Sequence, residues 1–418
     1  MSNKTLAFVA AVCIAAIFIS GFNSYLIFNN ARIQQDQFNA LQEALDEAKS
    51  KISTVESSLS ALLSRINISN QNTLENASEL RAIVLALNSS FYDLKDVVDH
   101  LLNQSPASIY ESAHKSIVMI RTTAGQGSGF LYNSSNLILT NWHVVNGATD
   151  IDVEFYDRSR QKATLVGSDA YADVAVIRVQ SPPPDAKPLQ LGNSSKLWIG
   201  QQVVAIGNPL GLAGSLSSGY ISQINRRISI TDLPIVVPVL QLDITIAPGS
   251  SGGPLLDMYG NVVGITNAGT SYGINFAVPS NIVKRVASSI IEKGEYKHPF
   301  VGFSGVELNP ETIKSMNILN VEPFQTGLLI TSVIPDTPAA KAGLRPAVST
   351  LAPDGSPAYQ AMDIILSVDG HPTFTFEDWS AYVEEHVSPG QPVTLSLWRS
   401  GKVESVIVNT TFRPPYQG

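Results

Sequence analysis

Cysteine is nearly absent from this sequence, which has only one among its 418 residues, Cys13. A single cysteine excludes intrachain disulfides and thiolate metal clusters, and the six histidines do not have the spacing of metal ligands. We therefore expect no metal and no other cofactor. A large domain with a good core needs no disulfides even outside the cell, so the cysteine count leaves the compartment open.

Basic charge is also scarce, because 27 Lys and Arg residues stand against 35 Asp and Glu residues, a formal net charge of −8 at pH 7. Such a chain lacks the positive field that draws proteins to phosphate backbones, so we expect no nucleic acid partner. The apolar content of 44% indicates folded domains. At roughly 150 residues per domain, the length predicts two or three of them.

An uncharged apolar segment covers residues 5–28. A helix of this length, at about 1.5 Å per residue, exceeds the ~30 Å hydrocarbon core of a bilayer. A cleaved signal peptide is the alternative, although its apolar region is usually only about 7–15 residues long. We expect a single-pass anchor in the cell membrane, with residues 1–4 cytoplasmic and the rest extracytoplasmic.

Residues 29–105 carry a heptad repeat, with ten positions seven apart from Phe38 to Leu101, of which only Thr73 is polar. This pattern predicts a coiled-coil stalk. The alternative is a lone amphipathic helix, but about 65 residues of helix would extend ~97 Å, farther than one domain can cover. Asn76 is both a seam position and one of seven glycosylation sequons, and it cannot pack in the seam and carry a glycan.

Short runs rich in β-branched residues, separated by Gly, Asn, Ser and Pro, begin near residue 107 and predict a β-sandwich or a pair of β-barrels. A helix is expected at 280–293, beginning on a Ser cap and ending at Gly294. Further strand-like runs follow around two short helical candidates, at 337–343 and 376–387, and they indicate a separate small domain.

Three residues in the β-rich region have the context of a catalytic triad. Ser251 lies in GSSGGP, where glycines permit the tight turn that exposes a nucleophilic hydroxyl, although alone this string is equally consistent with a linker. His143 in TNWHVV can act as general base, and Asp173 before VAVIRV can orient the imidazole. Singly, the histidine is as often structural and the aspartate is more often a strand cap. Together, in the order His, Asp, Ser, they predict a serine protease.

The segments GSGFLY, ILTNWHVV, DVAVIRV, VVAIGNPLG, QLDITIAPGSSGGPLLD and GINFAVPSN resemble the HtrA (Deg) family of trypsin-like serine proteases. The resemblance covers about 107–412. It implies a mainly β fold, in which a chymotrypsin-like double β-barrel at 107–296 carries the triad between its barrels. A circularly permuted PDZ domain, of α+β type, would follow at 299–413. It also implies a homotrimer or a higher oligomer.

The resemblance further implies the binding features of the site. The oxyanion hole would be formed by the N–H groups of Gly249, Ser250 and Ser251. The primary specificity pocket would be lined by Ile246, Thr266, Asn267 and Ala268. No acidic residue lies at 245–248, so small or medium aliphatic residues are expected before the cleaved bond rather than Arg or Lys. Residues 226–238 correspond to the sensing loop of the family, although Arg226 and Arg227 are equally consistent with a solvated pair.

In the small domain, one segment resembles the loop with which PDZ domains bind a C-terminal carboxylate: Phe300, Val301, Gly302 and Phe303. Alone this segment predicts only a short strand, but GLLITSVIPDTPAAKAGL and DIILSVDG also resemble PDZ elements. The chain departs from the family at 345–362, where a Pro-rich loop is inserted. Between a role beside the peptide groove and none, we favour none.

The predicted function is that of a membrane-anchored extracytoplasmic serine endopeptidase, which degrades or processes unfolded proteins or proteins with exposed C-termini through an acyl-Ser251 intermediate. One alternative is a chaperone or scaffold in which proteolysis is secondary. Another is a surface protein whose coiled coil is the functional part. The intact set of His143, Asp173 and Ser251 favours the enzyme.

Overall fold

The protein is described by a computed structural model that covers residues 105–123, 125–208, 214–228, 233–267 and 274–416. The anchor predicted at 5–28 and, apart from Ser105, the coiled coil predicted at 29–105 lie outside these residues. Among the residues that are described, no helix has the length and apolar character needed to cross a bilayer.

Six antiparallel strands close into the first barrel in the order β1-β2-β3-β6-β5-β4. Strand β6 reads VAVIR, and its first four side chains are buried. Successive side chains alternate between two apolar clusters, one on each face of the strand, so neither face meets solvent. The strands are β1 (Ile117–Thr122), β2 (Gly125–Asn133), β3 (Leu137–Thr140), β4 (Ile151–Glu154), β5 (Arg160–Asp169) and β6 (Val174–Arg178). Two helices belong to this barrel, α1 (Pro106–Ala113) before β1 and α2 (Trp142–Val145) after β3.

A second closed barrel follows, with the order β10-β11-β12-β9-β8-β7. Its strands are β7 (Gln202–Gly207), β8 (Ser215–Arg226), β9 (Val239–Leu242), β10 (Pro254–Asp257), β11 (Val262–Thr266) and β12 (Asn275–Pro279). The loop from β9 to β10 contains Ser251. The prediction of a double β-barrel is confirmed, and closure of both sheets leaves their strands without open edges.

Helix α3 (Ser280–Lys293) closes the second barrel and has the predicted bounds. Gly294 ends it in the left-handed conformation, with φ 81°, as predicted. The predicted Ser cap is wrong. Pro279 is the N-cap residue and no side chain caps the helix, because strand β12 leads directly into its first turn, and the Ser280 hydroxyl donates instead to the Gly192 carbonyl at 3.0 Å.

The second domain is built on a sheet of order β14-β16-β19-β21-β22, with β20 paired to β19. Its strands are β13 (Pro299–Phe300), β14 (Phe303–Leu308), β15 (Ile318–Leu319), β16 (Gly327–Val333), β17 (Val348–Leu351), β18 (Pro357–Gln360), β19 (Asp363–Val368), β20 (His371–Pro372), β21 (Pro392–Arg399), β22 (Lys402–Asn409) and β23 (Thr411–Phe412). The helices are α4 (Pro310–Ser315), α5 (Pro338–Lys341) and α6 (Phe376–His386). Both helical candidates of this domain are confirmed.

The insertion at 345–362 is not the loop that its proline content predicts. It forms a hairpin of β17 and β18, and β18 also pairs with β15 in a three-stranded sheet. The Asp354 carboxylate accepts from the Ser356 N–H at 2.9 Å and stabilises the turn of the hairpin. Proline is tolerated here because the strands are short and Pro357 stands at the beginning of one.

Candidate active site

Asp173 lies in the tight turn between β5 and β6. Its φ of 53° is left-handed, and its carboxylate is fully buried. The strands that flank the turn pair Asp169 with Val174, and the Asp173 N–H donates to the Ala170 carbonyl at 3.3 Å. The turn therefore holds a buried carboxylate at a defined position, and a positive φ for a residue other than glycine is a feature often found at functional sites.

The Asp173 carboxylate accepts three kinds of donor. His143, on helix α2, places its Nδ1 2.9 Å from Oδ2 and 3.1 Å from Oδ1. The backbone N–H of His143 donates to Oδ1 at 2.9 Å, and the Asn267 side-chain amide donates to Oδ2 at 2.8 Å. The Asn141 amide donates to the backbone carbonyl of Asp173 at 2.8 Å. These bonds compensate the burial of the charge and fix the plane of the imidazole.

A carboxylate can only accept hydrogen bonds, so the proton of a neutral His143 is placed on Nδ1 and the lone pair on Nε2. The histidine side chain is 25% exposed, whereas that of Asp173 is not exposed at all. The arrangement therefore presents a basic nitrogen at the surface, and an anionic partner behind it can stabilise the imidazolium.

Ser251 lies on a loop that is joined to the first barrel. The Ser128 N–H of β2 donates to the Ser251 carbonyl at 2.7 Å. A Cβ on Gly127 would lie 2.6 Å from the Val144 side chain and 3.1 Å from the same Ser251 carbonyl. Gly127 thus marks a close approach between the loop that carries Ser251 and the helix that carries His143.

Two glycines of this loop have left-handed backbones, Gly249 with φ 97° and Gly252 with φ 89°. A Cβ on Gly252 would lie 2.1 Å from the Ser128 carbonyl oxygen, so no other residue fits there without displacing β2. The Gly252 N–H donates to the Thr266 carbonyl at 2.9 Å and attaches the loop to the second barrel.

The three N–H groups predicted to form the oxyanion hole are not equivalent. The Ser250 N–H donates to the Ala247 carbonyl at 3.0 Å, so it is used within the turn, and the expectation for this donor is wrong. Within the described ranges, the N–H groups of Gly249 and Ser251 have no acceptor. Two free backbone N–H groups, one on a serine and one two residues before it, can together bind an oxyanion.

Ser128 supports this loop, and the sequence did not identify it. It is fully buried, and its hydroxyl donates to the Gly249 carbonyl at 2.8 Å while accepting from the Asn208 N–H at 2.8 Å. The bond orients the Gly249 peptide. The only signal in the sequence is a serine inside the apolar strand GSGFLY, which does not reveal a partner 121 positions away.

The residues predicted to line the specificity pocket make different kinds of contact in the structure. Ile246 is half-buried against the second-barrel core, and the buried Thr266 hydroxyl donates to the Ser250 carbonyl at 2.9 Å. Asn267 is fully buried and its side-chain amide donates to the Asp173 carboxylate, whereas the place of this stretch in the pocket wall stays a prediction. Burial of the charged Asp173 creates the demand for this donor. Ala268 lies outside the described residues.

The predicted carboxylate-binding loop connects β13 with β14. The Gly302 backbone is left-handed, with φ 91°, and a Cβ there would lie 2.4 Å from the Thr337 side chain. The carbonyls of Val301 and Gly302 accept from Ala339 and Ile334 N–H groups, both at 2.9 Å. The bonds direct these carbonyls into the domain, and β14, which follows, is an edge strand open to a further strand.

Aromatic rings pack between β14 and α6, and those of Phe303 and Trp379 are buried. Phe303 packs edge-on against Trp379, with the ring centroids 5.0 Å apart, and against Phe376 at 5.7 Å. The guanidinium of Arg227, from the predicted sensing loop, lies 4.9 Å from the Phe376 ring centroid. Arg226 and Arg227 are both exposed, as expected for a solvated pair, but Arg227 also contacts the second domain by this cation–π interaction.

The two closed barrels and the small domain that follows them have the architecture of a trypsin-like serine protease with a PDZ domain. A model of the trypsin-like peptidase domain matches residues 127–265, and a model of the PDZ domain matches residues 299–410.

Curated relatives agree with this class. Protease Do-like 1, chloroplastic, of Arabidopsis thaliana is 34% identical over 71% of this chain and 66% of its own length. The periplasmic pH-dependent serine endoprotease DegQ of Escherichia coli is 34% identical over 66% and 57%, respectively. The chain thus spans about six tenths of the length of the curated relatives it matches.

Two solved structures are matched over nearly the whole of their own chains. The HtrA-type protease AlgW with tripeptide is 29% identical, with a TM-score of 0.60, over 75% of this chain and 98% of that one. A variant of AlgW with tripeptide is 30% identical over the same shares, with a TM-score of 0.58. The chain therefore belongs to the HtrA (Deg) family of trypsin-like serine endopeptidases with a PDZ domain.

Proposed function

We propose that this protein is a membrane-anchored, extracytoplasmic endopeptidase in which Ser251 is the nucleophile, His143 the general base and Asp173 the residue that orients the base. The observation that carries the assignment is the buried Asp173 carboxylate bonded to both the side chain and the backbone of His143. The protease unit would extend over 107–296 and the PDZ unit over 299–413.

In this mechanism His143 Nε2 takes the proton of Ser251 Oγ as that oxygen bonds to the substrate carbonyl carbon. The free N–H groups of Gly249 and Ser251 stabilise the oxyanion. The C–N bond then breaks, the imidazolium returns the proton to the leaving amine, and an acyl-Ser251 remains. Water, deprotonated by the same nitrogen, releases the acid and restores the serine.

The chemistry around the site suggests the substrate class. Ile246 gives the proposed specificity pocket an apolar wall without a carboxylate. Such a pocket favours small or medium aliphatic residues before the cleaved bond. The loop at 300–303 and the open edge of β14 suit an extended peptide with a free C-terminus. Unfolded proteins and proteins with exposed tails provide both features. The segment 5–28 would hold the enzyme in the cell membrane through the stalk at 29–105.

The function is tested by incubating the protein with casein and with a fluorophosphonate probe, which labels activated serines. We expect casein to be cleaved and the label to be found on Ser251. No label on Ser251, together with intact casein in the presence of PDZ-binding peptides, would exclude the protease.

A chaperone or scaffold is the second candidate, favoured by the open edge of β14, to which an extended segment can add as a strand. This candidate would be supported if protein that takes no fluorophosphonate label and does not cleave casein binds unfolded casein with the same affinity as labelled, active protein.

A peptide with a free, apolar C-terminus is expected to raise the turnover of casein, by about 5- to 150-fold, the usual range for coupled sites. The physical reason is the contact of α6 with Arg227 of the sensing loop, which precedes the nucleophile loop. Initial rates are measured with saturating peptide and with the same peptide amidated at its C-terminus as control. Equal rates with both peptides would contradict activation through the PDZ domain.

The chain is expected to be a homotrimer or a higher oligomer, since its heptads predict association and the family resemblance implies the number. Light scattering after size exclusion is measured on the detergent-solubilised chain and on a variant without residues 29–105. Monomeric mass for both proteins would refute the oligomer, whereas loss of association only in the truncated protein would assign it to the stalk.

A further inference from the structure

The segment between α3 and β13 contains a histidine that the catalytic mechanism does not use. His298 is only 2% exposed, and each of its ring nitrogens contacts a carboxylate. Nε2 lies 2.9 Å from Asp169 Oδ1 of the first barrel, and Nδ1 lies 2.8 Å from Glu384 Oε2 of α6. We call these three residues the His298 bridge.

The geometry requires a charged imidazole. Two ionised carboxylates can only accept, so both ring nitrogens must donate, and only the imidazolium does so. Burial alone lowers the pKa of His298, but the charge of Glu384 and the hydrogen bonds to both carboxylates outweigh it and raise the pKa to about 9. A buried cation between two buried anions is stable only while all three partners are present.

The other groups around the ring are aromatic or basic. The rings of Tyr296 and Tyr171 meet the imidazole edge-on, with centroids 4.7 and 5.6 Å away. Arg413 lies over the Tyr171 ring at 5.5 Å, and burial lowers its pKa although the charge of Glu384 opposes this. Arg285 interacts electrostatically with Tyr296. The two carboxylates are therefore the anions that face His298.

One end of the bridge belongs to the turn that carries Asp173. Asp169 is the last residue of β5, and the oxygen that receives His298 also accepts the Ala172 N–H at 2.7 Å. Ala172 immediately precedes Asp173. Any displacement of the Asp169 carboxylate therefore changes the hydrogen bonding of the peptide next to the residue that orients His143.

The other end belongs to α6, the helix that packs against the edge strand β14, which is proposed to receive a peptide. Glu384 is 4% exposed on α6, two turns after Phe376 and about one turn after Trp379, which pack on Phe303. A short helix moves as a unit, so an extended peptide that shifts α6 also shifts Glu384. The bridge thus connects helix α6 to the Asp173 turn through three side chains.

We propose that His298 is a positioning residue, whose imidazolium ties helix α6 to the turn of Asp173 and so makes the catalytic base depend on the state of the PDZ domain. The inference deepens the proposed function and rests on it. It assigns a role to a histidine outside the triad and identifies Asp169 and Glu384 as its partners.

The first test is Glu384→Gln, which keeps the shape of the side chain and removes its charge. We expect the rate of fluorophosphonate labelling at Ser251 to fall about 10-fold at pH 7.5, within the usual range of coupling between sites. The matched control is Glu385→Gln on the same helix, whose carboxylate accepts from the Ser195 hydroxyl at 2.6 Å and does not contact the bridge. A rate within twofold of wild type is expected for the control.

The pH dependence distinguishes positioning from mere stabilisation. Since the pKa of His298 in the folded protein is raised from 6.5 to about 9, the contribution of the bridge is complete below pH 6.5 and is lost as the pH rises through 9. Labelling by the wild type should therefore decline near pH 9. Removal of one carboxylate lowers the pKa of His298, so in Glu384→Gln the decline should move to lower pH.

Two readouts separate this proposal from the proposed function. The ¹⁵N chemical shifts of the His298 ring report its protonation, and hydrogen exchange reports the opening of residues 169–173, both without catalysis. We expect an imidazolium at pH 7.5 and faster exchange in Glu384→Gln than in Glu385→Gln. A neutral ring, or equal labelling and exchange in both variants, would overturn the proposal. Absence of labelling in the wild type would instead refute the protease.

Discussion

Ser251→Ala is expected to reduce the turnover of casein by roughly a million-fold, the scale seen when a triad serine is removed, and to abolish fluorophosphonate labelling. Alanine fits the loop because only the hydroxyl is lost, while the Ser251 carbonyl still accepts from Ser128 and the glycines keep their conformation. The residual rate would come from substrate binding and from the free N–H groups. Steady-state cleavage of a fluorogenic casein measures the loss.

Ser250→Ala is the matched control, with the same change one residue earlier in the same loop. The backbone of Ser250 donates to Ala247, and this bond survives the substitution, so activity within about threefold is expected for a side chain outside the triad. If both alanine variants retained activity, or if Ser250→Ala lost as much as Ser251→Ala, the assignment of the nucleophile would be wrong.

Asp173→Asn is expected to lower kcat about 10⁴-fold, the magnitude typical of this change in a Ser-His-Asp triad. The present carboxylate receives only donors, namely the His143 Nδ1–H, the His143 backbone N–H and the Asn267 amide. An amide in its place presents an NH₂ group to one of them. If that group faces the ring, Nδ1 becomes the acceptor and Nε2 carries the proton, so the imidazole can no longer serve as base.

Asp257→Asn is the matched control for the aspartate. Its carboxylate is also buried and also accepts backbone N–H groups, from Tyr259 at 3.0 Å and Asn261 at 2.9 Å, but it does not contact the imidazole. We expect its free energy of unfolding to fall while the kcat of its folded fraction is retained. Denaturant titration and active-site labelling measure the two effects. If Asp257→Asn lost as much kcat as Asp173→Asn, the loss in Asp173→Asn would be explained by burial of charge and not by control of the His143 tautomer.

The elements that sequence predicted well were those with local signals. Gly294 ends α3 because the left-handed residue after a helix favours glycine, and the buried strand β6 is recognised by its continuous apolar run. The prediction of a Ser cap at 280 is wrong because the chain enters that helix directly from a strand. The insertion at 345–362 was misjudged because its proline content masked a turn signal and two short strands.

In the candidate site, too, local signals were visible in the sequence and long-range contacts were not. The order of His143, Asp173 and Ser251 and the glycines around the serine are visible in the chain. The partners that hold them are not, because the Ser128 hydroxyl and the Asn267 amide reach residues 121 and 94 positions away. Ordinary serine and asparagine carry no mark of such contacts, and they acquire a role only when the two barrels close.

By itself, the sequence determined the family, the double barrel, the small second domain and the three residues of the proposed triad, because these depend on local patterns and on motifs that resemble known ones. Only the tertiary structure decided that Ser250 does not supply a free N–H and that Asn267 serves Asp173. It also brought Asp169, His298 and Glu384 together around one buried charge. Burial and hydrogen bonding between distant segments set these roles, and both are properties of packing.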